Sequence, residues 1–242
     1  MNGRSILFAA AKITLLMSLV WMVGFTLVLW LGWFDNATLG LAVNIFELAC
    51  GLAAGVVVLL GIKFARNRHV MLGTALALLS WALGQVYWFS YSSITGETLP
   101  YPSVGDLGFT GTYVLLIGVI GIITHGQANA GRKWPHFIAF LILLAPVALS
   151  VTGKIKTAAL IYNFILGLAV AYTIFRVCAL LRRRNYRWFV AGVFLLGLTD
   201  LLFMTVVSVF PERYAFASDS LYPISLALIS FGIINGDEAE NA

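Results

Sequence analysis

Charge is what this sequence has least of. Lys, Arg, Asp and Glu make up 10% of the 242 residues against 61% apolar ones, and the mean hydropathy is +0.95. Soluble domains carry about 25% charged residues, so this chain cannot cover itself with a water-facing surface. Alternation of polar and apolar residues at a period of two is also absent, which excludes a transmembrane β-barrel. Long apolar runs in lipid must close their own backbone hydrogen bonds. The fold class is therefore all-α, a polytopic transmembrane helical bundle.

Further absences narrow the chemistry. There are two cysteines, Cys50 and Cys178, whose depths in their helices differ by roughly 15 Å at about 1.5 Å per residue, too far for a disulfide. The three histidines, His69, His125 and His136, fall near the basic ends of apolar runs, so none is placed for a haem inside the bundle. The last apolar run has no Lys, which excludes a retinal Schiff base of the ordinary plan. No GxSxG elbow, HExxH helix, P-loop or zinc-spaced Cys pair occurs. Gly105-Asp106 shares the Gly-Asp pair of intramembrane aspartyl proteases, but the residues flanking it differ and it sits at a membrane face. No catalytic residue and no metal site is expected; the reading is not an enzyme, and the cofactor is left unknown.

What is present are apolar runs near the length of about 20 residues that crosses a bilayer. Cutting at charges, prolines and polar clusters gives eight: Ile13 to Trp33, Leu39 to Phe64, His69 to Ser92, Ser103 to Ile123, Trp134 to Val151, Thr157 to Leu181, Trp188 to Val209 and Asp219 to Ile234. The first follows Arg4 and Lys12 as a signal peptide would, but its apolar stretch is too long for one, and it reads as a retained helix. Gly153, Lys154 and Lys156 make a tight hairpin between the fifth and sixth runs.

Basic residues set the orientation, because Lys and Arg accumulate in short cytoplasmic loops. With the N-terminus inside, Arg4, Lys12, Lys63, Arg66, Arg68, Arg132, Lys133, Arg176, Arg182, Arg183, Arg184 and Arg187 lie inside, and only Lys154, Lys156 and Arg213 outside. The expected protein is a multi-pass cell-membrane protein with both termini cytoplasmic. Its net charge of +5 reflects contact with anionic lipid rather than with nucleic acid.

The two halves, 1–126 and 127–242, read as copies. Leu83-Gly84-Gln85-Val86-Tyr87-Trp88-Phe89 is answered by Leu198-Thr199-Asp200-Leu201-Leu202-Phe203. Tyr101-Pro102-Ser103-Val104-Gly105-Asp106 is answered by Phe216-Ala217-Ser218-Asp219-Ser220-Leu221-Tyr222. A repeat of four helices is even, so both copies run the same way, related by a pseudo-two-fold axis along the membrane normal.

At these same segments, Pro100 to Asp106 opening one helix and Thr199 to Phe203 in another, the chain resembles the multi-helix membrane sensor regions that precede diguanylate cyclase and phosphodiesterase domains in bacteria. The likeness runs from about Leu39 to Gly232. Such regions tend to carry an acidic residue where Gln85 stands, and no output domain follows Gly236-Asp237-Glu238-Ala239-Glu240. The resemblance implies a sensor-like module whose output comes from a partner.

Ionisable groups at membrane depth are costly and default to function when they face the bundle interior. Asp200 and Glu47 are the foremost. Gln85, Tyr87, Tyr162 and Asn163 occupy similar depths, and the six together are expected to line a polar cavity opening outward. The competing reading is interhelical hydrogen bonding, with Asp200 paired to Gln85 or a tyrosine hydroxyl. Asp106 and Asp219 read as helix caps, and Gly51 with Gly55 as a close-packing face. Trp81 is the one tryptophan set deep enough in a run to suggest a chromophore or lipophilic ligand, with core packing as the first reading.

The functional expectation is a membrane-embedded sensory or small-ligand-binding module. It would take a small lipophilic or polar ligand and signal through its Arg-rich inner loops to a cytoplasmic or membrane protein partner. A small-molecule transporter built from parallel repeats and an accessory subunit of a membrane complex are the alternatives.

Overall fold

The computed structural model describes residues 3–95, 102–124, 157–209, 216 and 218–239. Among them the chain forms seven α-helices and no strand: α1 (Gly3–Leu31), α2 (Asn36–Gly61), α3 (Arg68–Thr95), α4 (Gly105–Ile123), α5 (Thr157–Val177), α6 (Arg187–Val209) and α7 (Tyr222–Ala239). Short 3-10 turns, Ile62–Phe64, Cys178–Arg182 and Arg184–Tyr186, carry α2 towards α3 and α5 towards α6. Six helices, α1 to α6, are long and apolar enough to cross a membrane. The run Trp134 to Val151, the hairpin after it, Arg132, Lys133, His125, His136 and Pro146 lie outside the described residues. The count of eight and the four-plus-four repeat therefore remain expectations.

The distribution of side chains inverts that of a soluble protein. Ile13, Leu16, Val20, Val23 and Leu27 of α1, Leu41 and Ile45 of α2, Leu83 of α3 and Ile161 of α5 are all exposed. Glu47, Gln85, Asp106, Asn163 and Asp200 are buried. An apolar exterior this continuous is untenable in water and is the natural surface against lipid. These are the features of a helical membrane protein.

The helix with the most protein around it is α7. It packs against α1, α2, α3 and α6, and residues 222–227 and 229–234 are buried. Ser225, Ser230 and Asn235 explain why it can carry less apolar character than its neighbours: it faces protein on every side, so its polar groups find partners there. Ser225 Oγ donates to the Tyr222 carbonyl at 2.7 Å and Ser230 Oγ to the Ala54 carbonyl at 3.3 Å.

Glycines let the helices touch backbone to backbone. A methyl group at Gly192 of α6 would lie 2.6 Å from the amide nitrogen of Ile229, and one at Gly232 of α7 would collide with the amide nitrogen of Phe189. On α3 and α4, a methyl at Gly108 would lie 2.6 Å from the Ser80 carbonyl. Two hydroxyls use that proximity: Ser80 Oγ donates to the Gly108 carbonyl at 3.0 Å and Thr112 Oγ1 to the Ala77 carbonyl at 3.1 Å. Gly51 and Gly55 face Trp81 and Leu79 of α3, as their spacing predicts.

The largest departures from the sequence reading are in α1 and α7. α1 begins at Gly3 rather than Ile13, so Arg4 and Lys12 are inside the helix. Its 29 residues span about 43 Å, longer than the hydrocarbon core, and the Arg4 guanidinium donates to the Phe64 carbonyl across the α2–α3 turn. α7 runs from Tyr222 to Ala239 rather than from Asp219 to Ile234. Pro223 is tolerated in its first turn, and the far end is drawn out because Asp237 accepts the backbone N–H groups of Arg66, at 3.1 and 3.2 Å, and of Asn67, at 3.3 Å.

These contacts gather one end of the bundle: the start of α1, the α2–α3 turn, the α5–α6 turn and the end of α7. Every described Lys and Arg belongs to that end, with Lys12 about two turns in along α1. Arg176 reaches Thr124 Oγ1 at the end of α4 at 3.5 Å. The carboxyl groups Asp35, Glu47, Asp106, Asp200 and Asp219 lie in the opposite half.

Candidate functional site

Each helix but α1 sends one or more side chains into a common cavity of about 70 Å³, room for several waters at the about 10–15 Å³ that one needs. α2 contributes Asn44 and Glu47, α3 contributes Trp81, Gln85 and Trp88, and α4 contributes Asp106 and Phe109. From the other half come Tyr162 and Leu166 of α5, Asp200 and Phe203 of α6, and Asp219 with Tyr222 where α7 begins. Within every element these residues are three, four or seven apart, the spacing that stacks side chains on one helical face.

Four of the six residues singled out in the sequence come together here: Asp200, Glu47, Gln85 and Tyr162. Two do not. Tyr87 is exposed and stacks on Tyr91, ring centroids 6.3 Å apart, because two residues along α3 from Gln85 is a rotation of about 200°. Asn163 is buried, but one step beyond Tyr162 it turns out of the lining. Neither belongs to the cavity.

Asp200 is fully engaged. Tyr113 of α4 donates its hydroxyl to Oδ2, and Tyr222 of α7 donates to Oδ1 at 2.6 Å. Asp200 thus joins three helices while lining the cavity, which matches the tyrosine-paired alternative in the sequence reading. Asp106 accepts from the backbone N–H of Ser103 and from Ser103 Oγ at 3.0 Å, closing the start of α4 on itself as a reduced capping box. Tyr162 donates to the Asp106 carbonyl at 3.3 Å.

Glu47 is different. Gln85 Nε2 donates to Glu47 Oε2 at 2.7 Å and to Asn44 Oδ1 at 3.0 Å, which fixes the carboxyl group in place. Its second oxygen, Oε1, is buried and has no hydrogen-bond partner among the described residues. Asp219 stands near enough to act on Glu47 electrostatically, and no Lys, Arg or His is among the lining residues. Trp88 Nε1 is likewise buried without an acceptor.

The apolar wall is aromatic. Trp81, buried between α2, α4 and α7, lies 5.6 Å from the Phe109 ring and 5.3 Å from the Tyr222 ring, while Trp88 meets Phe203 edge-on at 6.4 Å. Sequence reasoning assigned Trp81 to packing, took Asp106 and Asp219 as caps, and passed over Asn44, Tyr113 and Tyr222. Their shared helical face with Glu47, Gln85 and Asp200 was the available signal. The chain matches no protein-family model, no curated protein and no solved structure.

Proposed function

We propose that the chain is a membrane-embedded sensory or ligand-binding module whose cavity takes a small molecule. The observation that carries this reading is Glu47, a residue of the cavity lining whose Oε2 is held by Gln85 and whose buried Oε1 has no partner among the described residues. A buried polar group without a partner costs about 1–3 kcal/mol, a penalty that a bound donor would remove. The likeness of the Pro100 to Asp106 and Thr199 to Phe203 segments to bacterial membrane sensor regions points the same way. In this reading the basic end faces the cytoplasm, by the preference of Lys and Arg for that side, and its Arg182 to Arg187 turn meets the partner. The cavity then lies in the outer half. A transporter of parallel repeats would place a broken helix at its binding site, whereas α2, α3, α5 and α6 run through the cavity level unbroken.

Orientation is checked by single cysteines at Asn36 and Asn185 in the Cys50→Ala/Cys178→Ala background, treated in intact cells with a thiol reagent that does not cross membranes. Asn36→Cys should react and Asn185→Cys should not; the reverse pattern would invert the protein. Ligand occupancy is checked by native mass spectrometry of the protein released from lipid nanodiscs. The wild type should carry a small molecule that is missing from Leu166→Trp, in which the larger ring fills the cavity. Equal masses of adduct on the folded fractions of both proteins would remove the cavity as its site.

A further inference from the structure

We infer that the ligand is a small organic cation with N–H groups, a protonated amine, held with its charge on Glu47 and its carbon skeleton against Trp81 and Trp88. This rests on the reading of the cavity as a binding site and names its ligand class.

Four carboxyl groups, from Glu47, Asp106, Asp200 and Asp219, line one cavity, and none of the described lining residues is basic. Three of them have donors from the chain. Asp200 has two tyrosine hydroxyls, Asp106 has Ser103, and Asp219 has the Ser218 hydroxyl at 3.5 Å. Of the four, Glu47 is the one with a buried oxygen that has no partner among the described residues, and the residue is only 3% exposed. Its other oxygen is clamped by Gln85, so it cannot rotate away to find a partner. What fits the open oxygen is a donor, and what fits the surrounding potential is positive charge. A primary ammonium group supplies both, since it carries three N–H donors and no acceptor.

The walls say that the cation is organic. An inorganic ion would need a shell of oxygens around it, whereas much of the lining here is aromatic: Trp81, Trp88, Phe109, Phe203 and Tyr222. Aromatic faces attract ammonium groups through the ring quadrupole, most strongly when water is excluded, and they cover the carbon skeleton at the same time.

The test uses the whole chain in nanodiscs and a series of primary ammonium ions from methylammonium to 2-phenylethylammonium, each beside the alcohol of matching shape. Binding is read by isothermal titration. At least one ammonium ion should bind saturably, about thirtyfold or more tighter than its alcohol, as expected where a buried charge pair is made or lost. Glu47→Gln keeps the side-chain volume and removes the charge, so it should lower ammonium affinity by a similar factor and bring each ammonium ion and its alcohol to within a few-fold of each other. Should that variant fail to fold, the comparison of ammonium with alcohol on the wild type still decides. Alcohols binding as tightly as ammonium ions would overturn the inference and leave the cavity as a site for neutral molecules. Sodium or potassium binding in place of every ammonium ion would overturn it in favour of an inorganic site. No binding by any member of the series would overturn the inference too, and if Leu166→Trp and the wild type also retained the same molecules, the ligand-binding reading itself would fall.

Discussion

Gly232→Val should leave no folded protein. The α6–α7 contact is a backbone contact: the first side-chain carbon added at Gly232 meets the amide nitrogen and Cα of Phe189 and the carbonyl carbon of Trp188. A clash with the end of a flexible side chain is relieved by a rotamer change, but none of these atoms can move without moving the helix. Overpacked core sites ordinarily cost about 1–3 kcal/mol, and here parting the helices would also give up the buried contacts of Phe189, Val193 and Ile229. The expected loss is above about 3 kcal/mol for Gly232→Ala and larger for the β-branched Val. It is measured as the monodisperse fraction surviving size exclusion in mild detergent. Gly118→Ala is the control, since no described residue lies within 4 Å of its added methyl, and it should be neutral or slightly stabilising because Ala favours helix. A monodisperse Gly232→Val protein with wild-type melting would show that α6 and α7 do not approach as described.

Removing both hydroxyls from Asp200 should be the next most damaging change. Tyr113→Phe and Tyr222→Phe preserve ring packing and delete only the donors, so their effect isolates the hydrogen bonds to the carboxyl group. Hydrogen bonds between membrane helices average about 0.6 kcal/mol where partners can be replaced. A buried carboxyl group with no replacement loses more, about 1–3 kcal/mol for each donor. The double variant should therefore melt well below either single one. Adding Asp200→Leu to it should recover much of the loss, because a buried polar group without partners is worse than an apolar one. That recovery is the decisive measurement, read as a coupling in a mutant cycle. If the double variant melts with the wild type, Asp200 draws its stabilisation from elsewhere and the junction is incidental.

Composition and run length were enough to read the class and the positions of most helices, because lipid leaves the backbone few options. Helix ends were less legible. The extension of α7 to Ala239 depends on Asp237 meeting two amides more than 160 positions earlier in the chain, and no local pattern in the sequence announces such a pairing. Depth alone selected the candidate site. It found Asp200, Glu47, Gln85 and Tyr162, which are deep and face inward, and it also admitted Tyr87 and Asn163, which are deep and face elsewhere. Depth and helical phase together separate them: Trp81, Gln85 and Trp88 share a face of α3, while Tyr87 does not. Reading phase as well as depth would also have brought in Asn44, three before Glu47, and Tyr222, three after Asp219. The division of labour between Asp200 and Glu47 was beyond the sequence, since it depends on which carboxyl group the tyrosines of two other helices happen to reach.

The central position of α7 has a consequence for biosynthesis. The six other described helices precede it in the chain, and until it arrives Asp200 lacks Tyr222, the Ala54 carbonyl lacks Ser230, and the α2–α3 turn lacks Asp237. The nascent bundle thus lacks the helix that packs against α1, α2, α3 and α6 together, and its polar groups are left without these partners. Lesions that delay the docking of α7 are therefore expected to be read as degradation of the helices made before it.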